Sequence, residues 1–455
     1  MPLLDEIQPL AARFTAIGHR IYLVGGSVRD AILGRPLDEI DLDFTTDARP
    51  DAIQKIVGPW ADAVWTQGKR FGTIGAARGG REYEITTHRA EAYAPDSRKP
   101  EVAFADAVEV DLSRRDFTVN AMALSLPDLD LVDPFGGVAD LSALRLRTPL
   151  APEDSFGDDP LRMLRAARFI AGYDLAPEPE LVAAVRSMRS RMEIVSPERI
   201  RDELDKLLVV EVPSPGLWFL VETGLAEEFL PEIPALGLEQ DPVHRHKDVL
   251  AHTLAVVDKT NSDRILRMAA LLHDVGKPKT RSIGPGGVSF HHHEVVGARM
   301  AEERLRALRY PNDDIAAVRR LVELHLRFHG YGDEAWTDAA VRRYARDAGP
   351  LLKELNELTR CDCTTRNQAR AAALSSRMDD LEHRIADLDA RDELAAVRPD
   401  LDGRQIMERL GIGPGRAIGE ARDFLLELRL EEGPLGEEEA GRRLDAWWAA
   451  RQSGD

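Results

Sequence analysis

The chain has 455 residues, 44% of them hydrophobic and 31% charged, and 60 Lys+Arg against 79 Asp+Glu give a net charge of −19. That composition excludes a disordered or fibrous chain, and the length suggests about three domains. The acidic balance speaks against a protein that coats DNA but leaves room for a local basic strip.

Residues 1–20 read as an amphipathic helix whose acidic start is too poor in apolar residues for a signal peptide. IYLV (21–24) reads as a strand ending in Gly25 and Gly26, VRDAILG as a helix stopped by Gly34 and Pro36, and DLDFTT as a short strand. Residues 51–58 look helical, ADAVW, GTIGAA and EYEITT read as strands, and 87–113 reads as a long mobile loop. RRDFTVNAMAL begins a further helix or strand, and LVDPFGG a turn. From residue 158 helical periodicity dominates, with boundaries near 150, 235 and 390. The predicted domains are therefore 1–150, 151–235, 236–390 and 391–455. Two cysteines, Cys361 and Cys363, fit a reducing compartment and make no four-cysteine zinc site. No apolar run is long enough to span a membrane, so the expectation is a cytoplasmic chain.

Two constellations carry chemistry in the first half. In GGSVRD, glycines between a strand and a helix let backbone approach a phosphate closely. Asp41 and Asp43, at i and i+2 of a strand, share a face, and two like charges there persist best around a divalent cation; oxygen ligands without Cys or His favour Mg²⁺. A solvated polar strand face is the plain alternative. Downstream, Asp159 and Arg162 are expected to share a helix face. An ionised Asp accepts and an Arg donates, which matches the amine and ring nitrogen that both cytosine and adenine present; guanine and uracil would offer the carboxylate a carbonyl. Arg165 and Arg168 continue a basic stripe, with Leu161, Leu164 and Ala167 facing the core. The alternative is a surface salt bridge.

GGSVRD, the Asp41-Leu42-Asp43 pair, RRDFTVNAMAL (114–124), VDPFGG (132–137) and DDPLRMLRAARF (158–169) together resemble the class II tRNA nucleotidyltransferase and bacterial poly(A) polymerase family, within the polymerase-β superfamily. The resemblance implies an α+β head with a mixed sheet, followed by all-α neck, HD and tail domains. It implies addition of C, C and A to tRNA 3′ ends from CTP and ATP, with Mg²⁺ on Asp41 and Asp43 as the catalytic pair. Nucleotide contacts would come from Gly26, Arg29, Arg115, Asp159, Arg162, Arg165 and Arg168. Poly(A) synthesis, or CC-only or A-only addition, shares these motifs. The family often has Glu-Asp where this chain has Asp158-Asp159, which leaves Asp158 without an assigned role. Glu84 reads equally as a third carboxylate near the metal or as a strand-face residue. In this family the loop beyond it is associated with the switch from C to A addition.

The third constellation is His252, His273-Asp274, His293, His325 and Asp362. Adjacent His-Asp with distant His and Asp can complete a shell for a divalent ion. It resembles the HD metal-dependent phosphohydrolase superfamily: His252, His273, Asp274 and Asp362 match the core pattern, and His293 and His325 match the extra histidines of two-metal members. The resemblance implies a second ion there, Mn, Mg, Ni or Fe. A histidine on an apolar helix is commonly a satisfied core residue, an expectation strongest for His325. An HD phosphohydrolase with a non-catalytic nucleotide-binding head, or a nucleotide sensor, is the rival of another class. Expected partners are the tRNA acceptor end, ATP and CTP, with no DNA and no membrane; Trp447 and Trp448 read as packing residues rather than base-stacking platforms.

Overall fold

A computed structural model describes residues 2–36, 42–92, 101–238, 248–284, 287–331, 336–363, 368–392 and 398–452. The chain divides into two compact units, Met1–Gly237 with Arg304–Tyr310, and Leu238–Glu303 with Pro311–Asp455.

The first unit opens with helix α1 (Pro2–Thr15), which turns Ile7, Leu10, Ala11 and Phe14 into the core. Strands β1 (Ile21–Val24), β2 (Leu42–Thr46), β3 (Ala63–Trp65), β4 (Thr73–Arg78) and β5 (Arg81–Thr87) are joined through helices α2 (Gly26–Ile32) and α3 (Pro50–Val57). Hairpin strands β6 (Arg89–Ala92) and β7 (Glu101–Phe104) lead to α4 (Val108–Ser113), then β8 (Ala123–Leu126), β9 (Leu131–Val132) and α5 (Gly137–Ser142). The seven-stranded sheet runs β3-β4-β5-β2-β1-β8-β9. It is mixed: β2 and β5 are parallel, while β1 runs antiparallel to both β2 and β8. Wholly buried β1 lies near its middle, as its unbroken apolar sequence requires.

The expected loop over 87–113 is instead a hairpin and a helix. β6 and β7 pair antiparallel from Arg89↔Phe104 to Ala92↔Glu101, and Ala105 N–H donates to the His88 carbonyl at 2.7 Å. Backbone groups find partners here without an alternating side-chain pattern to announce them. The tip, 93–100, lies outside the described residues. RRDFTVNAMAL becomes a 3₁₀ turn at Thr118–Asn120 followed by β8.

Two-residue strands β10 (Arg145–Leu146) and β11 (Ala176–Pro177) pair in parallel around helices α6 (Pro152–Asp158) and α7 (Leu161–Tyr173); α8 (Pro179–Met188), α9 (Pro197–Leu208) and α10 (Ser214–Glu222) follow. Helix α10 approaches α7 so closely that a Cβ on Gly216 would sit 2.3 Å from the Ala167 carbonyl oxygen. The predicted one-sided core of α7 is too narrow. Leu161, Leu164 and Ala167 are buried as expected, but so are Met163, Ala166, Phe169 and Ile170.

The second unit is helical: α11 (Val249–Lys259), α12 (Arg264–Leu272), α13 (Lys277–Thr280), α14 (His293–Ala307, whose end falls in the first unit), α15 (Asn312–Leu324), α16 (Asp338–Ala348), α17 (Leu352–Asp362) and α18 (Gln368–Asp392). It departs from all-α in the hairpin of β12 (Arg281–Gly284) and β13 (Gly287–Phe290). The tail helices α19 (Gly403–Leu410), α20 (Arg416–Glu432) and α21 (Gly436–Gln452) share a small core of Leu401, Ile406, Ala421, Leu425, Ala440 and Leu444. Trp447 stacks on Phe424 at 5.0 Å, the packing role its sequence suggests.

Candidate active site and metal centre

In the first unit the site grows from the β1–α2 turn. Gly25 has φ +72, and a Cβ there would fall 2.7 Å from Arg115 Nη1 and 3.9 Å from Asp43 Oδ2. Only glycine lets these groups converge. Asp43 stands on β2 directly opposite Glu84 of the parallel neighbour β5. Paired positions on adjacent strands lie about 4.8 Å apart, so the two carboxylates form a like-charged pair on one face. That register sets Glu84 beside Asp43, a juxtaposition that spacing alone left open. Asp41 lies outside the described residues.

The RRD segment spans the distance from this edge to α7. Asp111, fully buried, accepts from Arg114 Nη2 at 2.7 Å and from Arg115 Nη2 at 3.4 Å. Burial alone would raise its pKa; the two guanidiniums hold it below the ordinary carboxylate range. The Arg114 carbonyl in turn accepts from Arg162. Consecutive residues 114 and 115 therefore touch the α7 arginine and the Gly25–Asp43 turn respectively. The spacing of Asp111 on α4 to Arg114 and Arg115 just past its end, i to i+3 and i+4, was a readable signal for this clamp.

The expected Asp159–Arg162 pair on one helix face is not formed. Asp159 is extended (φ −141, ψ 101), lying between α6 and α7. Pro160 follows it, and proline excludes the helical region for the residue before it. The Asp159 carboxylate accepts from the Leu161 N–H at 3.2 Å and from both terminal nitrogens of Arg199, at 3.1 and 2.6 Å. Arg162 is buried and donates to Ser155 Oγ at 2.9 Å and to the Arg114 carbonyl.

The expected basic stripe is also spent internally. Arg165 pairs with Asp116 at 2.5 Å and reaches Glu203 at 3.7 Å; Arg168 pairs with Glu203. Burial pulls against the charge on both Asp116 and Arg165, yet their attraction wins: the carboxyl is held well below its usual range and the guanidinium above its own. Arg29, expected on the triphosphate, is 6% exposed. It donates to Asp30 at 3.0 and 2.8 Å and to Asn120 at 2.6 Å, and its guanidinium lies 4.1 Å from the Tyr173 ring centre. It joins α2 to α7. Gly26, the first residue of α2, stays clear of such contacts: a Cβ there would meet only Arg29 Nη2, at 3.5 Å.

In the second unit the six expected ligands come together. His252, His273 and Asp362 form one group, and Asp274, His293 and His325 another, with the ligand atoms of each group within 4.8 Å of one another. The Nδ1 atoms of His273, His293 and His325 each meet the carbonyl three residues earlier, at 2.7, 2.8 and 2.7 Å. That contact commits Nδ1–H to the backbone and turns the Nε2 lone pair inward. All three Nε2 atoms are buried without a hydrogen bond. His325 is therefore not the satisfied core residue expected. Oxygens of Asp274 and Asp362 lie 3.3 and 3.5 Å from His273 Nε2, and Asp362 lies 2.8 Å from His252 Nε2. Burial opposes charge on His273, but these carboxylates outweigh it and push the imidazole up to about 10; burial takes neighbouring His325 down to about 3. Orphaned imidazole nitrogens interleaved with carboxylates fit divalent cations.

The Poly A polymerase head domain matches residues 21–147, the probable RNA and SrmB-binding site of polymerase A matches 174–236, and the HD domain matches 247–387. The chain is 34% identical over 452 residues to the A-adding tRNA nucleotidyltransferase of Deinococcus radiodurans, covering 95% of this chain and 96% of that one. It is 41% identical over 214 residues to the CCA-adding enzyme of Bacillus subtilis, covering 46% and 52%. In fold it is similar to the Bacillus stearothermophilus CCA-adding enzyme in complex with CTP, with TM-score 0.69, 23% identity and full coverage of both chains. It also resembles the Thermotoga maritima CCA-adding enzyme complexed with tRNA, with TM-score 0.57, 20% identity and coverage of 98% and 96%. A nucleotidyltransferase with a Poly A polymerase-type head followed by RNA-binding and HD domains is the class these features define. Within it, the chain belongs to the family of tRNA nucleotidyltransferases and bacterial poly(A) polymerases. Among the described residues no helix is long and apolar enough to cross a membrane.

Proposed function

We propose that the chain adds C, C and A to tRNA 3′ ends from CTP and ATP, releasing pyrophosphate. The observation that carries this reading is the convergence of Gly25, Asp43 and Arg115 at one turn, with Glu84 paired opposite Asp43 and Arg114 joining the turn to Arg162. Like-charged Asp43 and Glu84, with Asp41 in the same motif, are an oxygen-only donor set suited to Mg²⁺. Bound there, the ion would neutralise charge that builds on the triphosphate. Arg115 and the backbone at Gly26 orient the phosphate oxygens. The Asp159 carboxylate accepts from the exocyclic amine of C or A, and Arg162 donates to the ring nitrogen after releasing a contact to Ser155 or Arg114. Asp43 and Glu84 draw the 3′-hydroxyl proton as the new bond forms at the α-phosphorus and the bond to pyrophosphate breaks. Arg29, Arg165 and Arg168 act in the frame, holding α2, α7 and α9 in place around the base.

A second reading is A-only addition, favoured by the name of the Deinococcus relative that matches along the chain's length. One extension assay separates them. Transcripts ending before CCA, after C and after CC are offered labelled CTP and ATP, beside unstructured RNA. Finite C-C-A growth on the shortest transcript supports the first reading, growth only by A on the CC end supports the second, and long A tails on unstructured RNA support a poly(A) polymerase.

For the second unit, His252, His273, Asp274, His293, His325 and Asp362 would hold one or two divalent ions, Mn, Mg, Ni or Fe. Bound there, the metal would supply Lewis-acid chemistry on a phosphoester. Lys277, 2.5 Å from Asp274, is placed to meet a phosphate beside the cluster.

A further inference from the structure

We infer that Arg199, on the first turn of α9, is a specificity-determining positioning residue that holds the Asp159 carboxylate as a fixed acceptor for the incoming base. The inference rests on the base-reading role of Asp159 and deepens it.

Three observations carry it. Asp159 has left the helix: Pro160 makes it extended, so no helical turn restrains its side chain, and the Leu161 N–H contact at 3.2 Å reaches one oxygen alone. Arg199 supplies the missing restraint with two parallel hydrogen bonds at 3.1 and 2.6 Å, which fix the carboxylate plane as well as its place. Arg199 also belongs to a helix that braces α7 elsewhere. Glu203, one turn further along the same face of α9, takes Arg168 and reaches Arg165. One helix thus seats the base-reading carboxylate and the arginines behind it.

The chemistry follows from lone-pair arithmetic. An ionised carboxylate has about four acceptor sites, of which the guanidinium takes two and the Leu161 N–H one. Acceptor capacity remains for an exocyclic amine. A carboxylate has no proton to donate, so the carbonyl of U or G meets an acceptor. Without Arg199 the side chain can turn out of the plane that selects an amine. Arg199 touches no substrate in this account; it acts through Asp159.

The test compares incorporation of CMP, AMP, UMP and GMP by wild type, Arg199→Ala, Arg199→Lys and Asp159→Asn, each confirmed folded by its melting curve. Expected for Arg199→Ala is a rise of about tenfold or more in UMP or GMP incorporation relative to CMP, with Arg199→Lys, which keeps the charge but not the fork, in between. A merely structural arginine would lower kcat/KM for all four triphosphates by one factor and leave their ratios untouched, and that result overturns the inference. Asp159→Asn separates the two layers. Changed ratios there with unchanged ratios in Arg199→Ala refute only the role of Arg199; unchanged ratios in Asp159→Asn refute the base-reading role and this inference with it.

Discussion

In the first unit, four arginines, one of them buried and three half-buried, meet carboxylates of the same chain: Arg29 with Asp30, Arg165 with Asp116, Arg168 with Glu203, and Arg199 with Asp159. In the second unit, three imidazoles turn buried Nε2 atoms toward one another and toward two aspartates without a hydrogen bond. The first cluster is neutralised from within and can stand as a rigid frame. The second is complete only with something added. The difference separates charged groups that hold a site together from charged groups that await a ligand, a distinction that residue type and spacing do not make.

The comparison is broken most severely at Asp43, the carboxylate paired opposite Glu84 in the head. Asp43→Asn should lower the rate of nucleotide addition by about a thousandfold or more while triphosphate binding persists. Single-turnover extension beside a binding titration checks it, and retained turnover would remove Asp43 from the metal role.

Next in size is the frame itself. Glu203→Gln leaves Arg168 and one side of Arg165 without their anion and should cost about 2–3 kcal/mol, read from urea unfolding. The acid limb sharpens the same point. Asp116 is held below its usual range when folded, so its contribution is complete above the unfolded value of 3.8 and is lost as pH falls below it. The stability gap between wild type and Asp116→Asn should therefore be widest at neutral pH and close on acidification. A constant gap would mean that the ion pair with Arg165 contributes nothing.

What the sequence disclosed divides along the same line. Strands β1, β2, β4 and β5 and the glycine turn were legible because apolar runs and punctuation are local signals. The β6–β7 hairpin was not, since four-residue strands without alternation look like loop. The break at Asp159 was written in Asp-Pro, but the arginine periodicity beyond it suggested a continuous helix. Arg165 and Arg168 were correctly placed on α7, yet Asp116 and Glu203, their partners, come from distant segments that no spacing rule connects. The six clustered histidines and aspartates were legible by type. The inward turn of His325 was not, because it depends on a backbone contact that fixes which ring nitrogen is satisfied.

The most direct measurement is the metal content of the purified chain. Protein stripped with chelator, reloaded with Mn²⁺ and freed of excess should retain one or two ions per chain, and His273→Ala with Asp274→Ala should abolish that retention. Asp43→Asn should leave it intact. Equal metal retention with and without His273 and Asp274 would contradict the account.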